Sequence, residues 1–306
     1  MAKAIREIYG ETLAELGNTM KNLVVLDADV AGSTKSAIFG KAHPDRFFDM
    51  GIAEANMAAT AAGMATTGLI PFINTFAVFV TSASLVALRG QICYGNLNVK
   101  LGGAYAGMSD ARDGATHHAL EDLAVTRSLP NMRILSVCDA EETRWATRTA
   151  AELEGPVYIR LSREAMPDLY APDHVFTFGK AETLREGTDA TIIATGLPVH
   201  NSLAAAEQLA AEGISVSVLD MHTIKPLDTE AILAAADRGP VITVEEHNII
   251  GGLGSAVAEV LAEAGKGRLT RVGIRDTFSE TGDYPSLQKK YGIDAVSIAD
   301  AVKGSL

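Results

Sequence analysis

The residues of this sequence that are best suited to chemistry fall into five short clusters. They are Asp27 with Asp29 and Ser33, the run 51–57 with Glu54, the run 74–79 with Phe76 and Phe79, the run 112–118 with Asp113 and His117, and the run 160–163 with Arg163. A carboxylic acid among small and apolar residues can keep its proton near neutral pH, because burial disfavours the charged form. Histidine suits proton transfer because its ordinary pKa is about 6.5. Arginine beside a hydroxyl suits binding of an anion such as phosphate.

Each cluster taken alone also has a purely structural explanation. Phe76 and Phe79 have the spacing of neighbours on a helix face and could pack in a core. Glu54 could be an acidic residue at a helix N-terminus, where the helix dipole favours it. His117 could be a core histidine, and Arg163 a solvated charge. The clusters therefore indicate a function only through their order and the framework that holds them.

That framework is an alternation of short β-branched or apolar runs with longer amphipathic runs, which is typical of βαβ units around a parallel sheet. It predicts an α/β fold of two domains, 1–165 and 189–306, each a mostly parallel sheet flanked by helices, with a linker at 166–188. One long helix is predicted over Phe76–Cys93. The five clusters lie at the ends of predicted strands of the first domain, where ligands of such sheets bind.

Composition and missing motifs argue against several functions. The chain of 306 residues has a formal net charge of −12 and no Lys/Arg-rich run, so no nucleic-acid partner is expected. It has no secretory signal and no apolar run of about 18 residues, so we expect a cytoplasmic protein without a membrane partner. Cys93 and Cys138 lack a CxxC pattern and are expected to be reduced core thiols. No P-loop, GxSxG or HExxH motif occurs, and the glycines of 251–254 favour a strand-to-helix turn over a dinucleotide fingerprint.

In their order, the motifs resemble those of the transketolase family. The segments that resemble its pyrimidine-binding domain are Gly51-Ile52-Ala53-Glu54, Asn74-Thr75-Phe76-Ala77-Val78-Phe79, Asp113-Gly114-Ala115-Thr116-His117 and Leu161-Ser162-Arg163. The segments that resemble its C-terminal domain are 221–228, Glu245-Glu246-His247 and 251–254. The resemblance covers essentially the whole chain. It implies thiamine diphosphate as cofactor and transfer of a two-carbon ketol unit from a ketose to an aldose, with sugar phosphates as substrates.

The resemblance also implies roles for single residues. Glu54 corresponds to the glutamate that hydrogen-bonds N1′ of the thiamine aminopyrimidine and favours the imino tautomer needed for ylid formation. The small and apolar residues around it suggest a dry pocket. The cofactor-binding residues implied are Asp29, Val30, Glu54, Phe76 and Phe79. The substrate-binding residues implied are Arg6, Ser33, Asp113, His117 and Arg163, with His117 also catalytic through proton transfer.

Three positions depart from the family pattern. Ser82 stands where a third aromatic residue is expected, and Tyr105 stands where the family places a histidine that contacts phosphate. Ala111-Arg112 replaces the Gly-Glu pair before Asp113. The distal end of the substrate pocket is therefore altered. The sequence leaves open whether the substrate anion is phosphate, and which donor and acceptor sugars are used.

The sequence lacks the GDG…N-type motif that holds Mg²⁺ and diphosphate in this family, and no metal ligand is predicted in this chain. The resemblance therefore implies a partner, the N-terminal transketolase subunit with the diphosphate-binding domain and most of the Mg²⁺ site, in a heterotetramer with two active sites. One alternative is the β subunit of a 2-oxo acid dehydrogenase complex, which shares the two-domain layout. Another is a non-catalytic paralogue, which Ser82 and Tyr105 allow and Glu54 argues against.

Overall fold

Strands and helices alternate through both halves of the chain, as the sequence pattern predicts. The computed structural model describes residues 3–306. The helices are α1 Ile5–Thr19, α2 Ala31–Thr34, α3 Ala37–Ala42, α4 Glu54–Ala65, α5 Ala77–Ser82, α6 Leu85–Ala87, α7 Asp122–Ser128, α8 Ala140–Glu152, α9 Pro198–Ala211, α10 Thr229–Arg238, α11 Leu253–Ala264, α12 Tyr284–Lys290 and α13 Ala295–Lys303. The strands are β1 Leu23–Asp27, β2 Phe47–Asp49, β3 Ile70–Phe76, β4 Lys100–Ala104, β5 Arg133–Ser136, β6 Val157–Arg160, β7 Glu182–Arg185, β8 Ala190–Ala194, β9 Val216–Asp220, β10 Thr223–Lys225, β11 Val241–Asn248 and β12 Leu269–Ile274.

The first sheet has the strand order β10-β5-β6-β4-β3-β1-β2 and is parallel except for β10. Helices cover both of its faces, so its central strands β3, β4 and β6 are buried along their whole length. Within β1, Leu23 and Val25 belong to the core cluster that contains Leu13 of α1. Val24 and Leu26 belong to the cluster on the other face, because successive side chains of a strand point to opposite sides.

The second sheet has the order β12-β11-β8-β9-β7, and only β7 runs antiparallel to its neighbour. The fold class predicted from the sequence, two mostly parallel sheets flanked by helices, is confirmed. Strand β7 lies inside the segment 166–188 that the sequence suggests as a linker. Strand β10 leaves the second half of the chain and pairs with β5, so the two halves share the first sheet.

The prediction of one long helix over Phe76–Cys93 is wrong. Phe76 ends β3, α5 stops at Ser82, and α6 is followed by a π-helical segment, Leu88–Cys93. The Thr81 hydroxyl donates to the carbonyl of Ala77 at 2.8 Å, a local bond that competes with regular helix geometry. The Ser84 hydroxyl donates to the carbonyl of Glu54 at 3.0 Å, which ties the break to the start of α4.

The two cysteines and the glycine-rich turn agree with the sequence. Cys93 and Cys138 are free and buried. Gly251 has a φ of +83°, and Gly252 directly precedes α11, so the glycine-rich run is a strand-to-helix turn. Among residues 3–306, no helix is long and apolar enough to cross a membrane.

Candidate active site

The carboxyl ends of four strands meet at one edge of the first sheet. Asp49 of β2, Asp27 of β1, Asn74 of β3 and Gly102 of β4 are successive partners across the parallel ladders. The segments that follow these strands therefore leave the sheet side by side. The sequence clusters around Glu54, Phe76 and Asp113 are carried by these segments.

Asp27 shapes the segment after β1. Its carboxylate is buried and accepts hydrogen bonds from the amide of Val30 and from the hydroxyls of Thr34 and Ser36, each at 2.7 Å. Burial raises its pKa, although these three bonds oppose the shift. The anchored segment presents Asp29, exposed and at a φ of +64°, and Val30, which packs against the cluster of Phe76 and Tyr105.

Glu54 is the first residue of α4 and is half-buried. Met57, one turn later, is fully buried, but Ala55 is exposed and Ile52 is 80% exposed. This chain therefore does not fully enclose the dry pocket expected around Glu54. The surface near this acid includes an exposed isoleucine.

An aromatic wall stands beside the strand ends. The rings of Phe76 and Phe79 stack with centroids 6.0 Å apart, and Tyr105 stacks on Phe76 at 4.5 Å. His117 presents its ring edge-on to Phe76 at 5.9 Å and to Phe79 at 5.4 Å. The structure thus places three predicted residues from two separate motifs in one contact group. Ser82 is exposed and adds nothing to this wall.

A basic group lies next to the wall, centred on Tyr105. Nη1 of Arg6 donates to the phenolic oxygen of Tyr105 at 2.6 Å and to the carbonyl of Ser33 at 2.8 Å. The guanidinium carbons of Arg6 and Arg163 lie 5.1 and 5.2 Å from the centre of the Tyr105 ring. Arg163 also forms an ion pair with the buried Asp110. The three predicted anion-binding residues, Arg6, Ser33 and Arg163, are therefore gathered around one tyrosine.

Asp113 is exposed and lies near Asp110 on the same loop. Burial raises the pKa of Asp110 and the neighbouring Asp113 adds to the shift, while Arg163 opposes it. Sequence reasoning missed Asp110, and it named the buried Asp27 in a cluster without giving it a role. A signal was present for both, since each is an acid within three residues of a predicted site residue. Their roles depend on partners 53 and nine positions away, Arg163 and Ser36, which a local pattern does not show.

One group of buried side chains in the described part of the chain has the composition of a metal site. Within residues 3–306, the three-residue group suited to a metal ion is Cys138, Glu142 and Asp220. All three are buried and sit on or beside β5, α8 and β9, which carry none of the predicted cofactor residues. The aromatic wall of Phe76 and Phe79 fits the flat ring of a thiamine-type cofactor, and this three-residue group lies on other elements of the fold.

The carboxyl edge of this parallel sheet carries an acid, an aromatic wall and a basic group. Such an arrangement is typical of α/β enzymes that bind a cofactor. Residues 1–168 match the family model described as "Transketolase, pyrimidine binding domain", and residues 179–298 match "Transketolase, C-terminal domain". The chain belongs to the transketolase family, which is thiamine-diphosphate-dependent. The resemblance seen in the motifs is confirmed.

Some of the relatives are about as long as this chain. The chain is 46% identical to the "Putative transketolase C-terminal section" of Methanocaldococcus jannaschii, over 98% of this chain and 95% of that one. It is 40% identical to the 6-deoxy-6-sulfo-D-fructose transketolase subunit SqwH of Clostridium sp. (strain MSTE9), over 97% and 92%. A solved structure described as "Split gene transketolase, inactive beta4 tetramer" superposes with a TM-score of 0.91, at 46% identity and over 100% and 99% of the two chains. The chain is thus similar to C-terminal subunits of split transketolases.

Proposed function

We propose that this chain is the C-terminal subunit of a two-subunit, thiamine-diphosphate-dependent transketolase. It would transfer a two-carbon ketol unit from a ketose to an aldose, at least one of which carries an anionic end group. The observation that carries this proposal is the meeting of Glu54, the Phe76–Phe79 wall, His117 and the two arginines around Tyr105 at one sheet edge.

The residues of this chain fit the aminopyrimidine side of the cofactor. Phe79 is partly accessible and stacks on the buried Phe76, so this wall would offer a ring face to a flat heterocycle, an interaction worth about 0.5–1.5 kcal/mol beyond its buried area. Thiamine diphosphate, when bound, supplies the stabilised carbanion that the transfer needs. Glu54 would hold a proton against N1′ of the ring. His117 would give a proton to, or take one from, a substrate hydroxyl, and its edge contacts with both phenylalanines fix its ring orientation.

The open side of Glu54 supports a requirement for a partner. Ile52 is 80% exposed, and Val86 of α6, a helix that packs beside α4, is 87% exposed. Apolar side chains of this size exposed near a half-buried acid are typical of an interface. The N-terminal transketolase subunit would cover this face and bring the diphosphate-binding residues and Mg²⁺, giving a heterotetramer. The similar split-gene structure is an "inactive beta4 tetramer", which supports self-association without activity when that partner is absent.

The substrate's end group is a tetrahedral anion, phosphate or sulfonate. Arg6 and Arg163 place two guanidiniums against one tyrosine ring, and two neighbouring guanidiniums suit either group. The relative from Clostridium is named for a sulfonated ketose as its substrate. The β subunit of a 2-oxo acid dehydrogenase complex is disfavoured, because both family models matched are those of transketolase.

The test is to co-express this chain with an N-terminal transketolase subunit from the same organism and to measure ketol transfer. The donor panel contains a ketose phosphate, a ketose sulfonate and a neutral ketose, each with the same aldose acceptors. We expect turnover only with both subunits, Mg²⁺ and thiamine diphosphate, and higher kcat/KM for an anionic donor. Turnover by the purified chain alone, or a complete assembled enzyme inactive on every donor, would refute the proposal.

A further inference from the structure

The Glu245-Glu246-His247 motif of the C-terminal half has no role in the function proposed so far. Glu246 lies on β11 and is 2% exposed, and its side chain crosses to the first domain. One carboxylate oxygen accepts a hydrogen bond from the amide of Met108, and the other accepts one from the hydroxyl of Tyr284. Its carbonyl accepts from Nη2 of Arg160 at 2.9 Å. Glu246 therefore joins three parts of the chain that are far apart in sequence.

Met108 stands at the base of the loop that bears the proposed substrate-binding residues. Gly107 and Ala119 close this loop by exchanging backbone hydrogen bonds of 3.1 and 3.0 Å, so residues 108–118 form its body. Asp113 and His117 lie within that body, and Asp110 binds Arg163 from it. Whatever holds the base of the loop thus sets the position of these side chains.

The backbone of the loop approaches the Glu246 carboxylate more closely than a side chain would allow. Gly107 has a φ of +64°, and a Cβ built there would lie 2.2 Å from Oε1 of Glu246. Glycine is required at this position for both reasons, conformation and space. The contact therefore depends on both segments, on Gly107 at the base of the loop and on Glu246 in β11.

Two further contacts from the segment after β12 hold the same loop. The amide of Gly282 donates to the carbonyl of Ala111 at 2.9 Å, and the Ser279 hydroxyl hydrogen-bonds Nδ1 of His118. His118 in turn contacts the carbonyl of Asp110 through Nε2 at 3.0 Å. The C-terminal domain thus supports the loop at its base, through Glu246, and along its body, through Ser279 and Gly282.

We propose that Glu246 is a positioning residue through which the C-terminal domain fixes the loop that carries Asp113 and His117. This inference rests on the proposed function, since it takes the substrate roles of those two residues from it. Removing the carboxylate leaves the Met108 amide and the Tyr284 hydroxyl buried without acceptors, so the base of the loop must shift to find new partners. A displacement of about 1 Å in a catalytic group is enough to cost on the order of a hundredfold in rate.

The structure offers a matched control in Glu245, a neighbouring carboxylate on the same strand. It is equally buried, but its oxygens accept from the amides of Leu253 and Gly254, at 2.6 and 2.8 Å, within the C-terminal domain. Glu245→Ala should therefore weaken that domain without touching the loop. Glu246→Gln is the conservative variant, because its amide oxygen can accept from Met108 while its amide nitrogen donates to the oxygen of Tyr284.

The first readout is hydrogen–deuterium exchange of residues 107–119 in the full chain, which does not depend on any activity. We expect Glu246→Ala to speed exchange there at least tenfold relative to both wild type and Glu245→Ala, and Glu246→Gln to restore near-normal exchange. Gly107→Ala perturbs the same contact from the loop side and should match Glu246→Ala, which keeps the test usable if one variant fails to fold. Loop exchange unchanged by both Glu246→Ala and Gly107→Ala would overturn the proposal.

The second readout is the kinetics of the assembled two-subunit enzyme. We expect Glu246→Ala to lower kcat/KM for the donor sugar about 10- to 100-fold while the concentration of thiamine diphosphate giving half-maximal activity stays within twofold of wild type. A merely structural role would lower kcat/KM and raise that thiamine diphosphate concentration together, or would appear equally in Glu245→Ala, and either result overturns the proposal. Faster exchange in the loop of Glu246→Ala together with a normal kcat/KM would also overturn the proposal. If the wild-type assembly has no transketolase activity, the proposed function fails, and with it the catalytic part of this inference, while the exchange result still decides whether Glu246 holds the loop.

Discussion

Nη1 of Arg6 lies 2.6 Å from the phenolic oxygen of Tyr105, and this contact joins the proposed anion site to the proposed cofactor wall. The Tyr105 ring stacks on Phe76 with centroids 4.5 Å apart, so one side chain touches both sites. Tyr105 is 5% exposed and has a φ of +61°, a conformation that is uncommon for a bulky residue and often marks a functional position. The residue that departs from the family pattern is thus central to the site.

Tyr105→Phe should weaken binding of the anionic donor. The Tyr105 oxygen accepts a hydrogen bond from Arg6, so its own hydroxyl hydrogen is free to donate to a phosphate or sulfonate oxygen. Hydrogen bonds to charged groups contribute about 1.5–3 kcal/mol, so we expect KM for an anionic donor to rise about tenfold or more. KM for a neutral donor should not change, and Tyr291→Phe, in the C-terminal domain, is the control. Equal KM changes for both donors would show that the hydroxyl does not contact the anion.

Arg163→Ala should also raise KM for an anionic donor more than KM for a neutral one. Arg163 lies against the Tyr105 ring and is held by Asp110, so its removal takes one of two guanidiniums from the anion site and leaves a buried carboxylate behind. We expect KM for a phosphorylated or sulfonated donor to rise far more than KM for its neutral analogue. Arg238→Ala, which removes an exposed arginine at the end of α10, should leave both constants near wild type. A parallel rise for charged and neutral donors in Arg163→Ala would argue against an anion site here.

The pH dependence of stability can be tested at Asp220. Burial raises its pKa from 3.8 to about 7, while hydrogen bonds from Tyr170 and Cys138 oppose the shift. The folded chain therefore binds this proton more tightly than the unfolded chain, and stability falls as pH rises from about 4 to 7. Asp220→Asn removes this dependence, and its amide can donate to the unpartnered Oε1 of Glu142.

We expect the free energy of unfolding, measured by urea denaturation, to fall less between pH 5 and pH 8 in Asp220→Asn than in wild type. The variant loses the titrating carboxyl and also relieves Glu142, whose pKa is raised by burial and by Asp220. Glu245 and Glu246, whose pKa values burial also raises to about 7, contribute the same slope to both proteins and cancel in the comparison. A constant difference between the two proteins across this range would mean that Asp220 does not titrate there.

Much of the fold could be predicted because parallel sheets covered on both faces produce continuous apolar strands, as in β1, β8 and β9. The pairing of β10 with β5 could not be predicted, since a strand of three residues, Thr223–Lys225, gives no sign of which sheet accepts it. The break after Ser82 was also missed. It depends on Ser84 bonding to Glu54, a residue 30 positions earlier, and not on a local glycine or proline.

At the site, too, some contacts could be predicted from the sequence and others could not. The motifs of the sequence assign Phe76, Phe79 and His117 to one site, and in the structure their ring centroids lie within 6.0 Å of one another. It did not show the ion pair of Asp110 with Arg163 or the carboxylate of Glu246 beneath Met108. These contacts join separate motifs and separate domains, so only the folded chain brings their members together.

Glu54 is central to the proposed function, as the acid at the cofactor ring in a site completed by the partner. The most direct measurement is ketol-transfer turnover of the assembled enzyme with Glu54→Gln, at saturating thiamine diphosphate and Mg²⁺. Glutamine cannot share an acidic proton with N1′, so we predict a loss on the order of a hundredfold or more, with assembly and folding unchanged. Glu141→Gln, which changes another acid in a first helical turn, should keep full activity. Near-normal turnover in Glu54→Gln would mean that this carboxylate is only a charge at a helix end, and would contradict the proposed function.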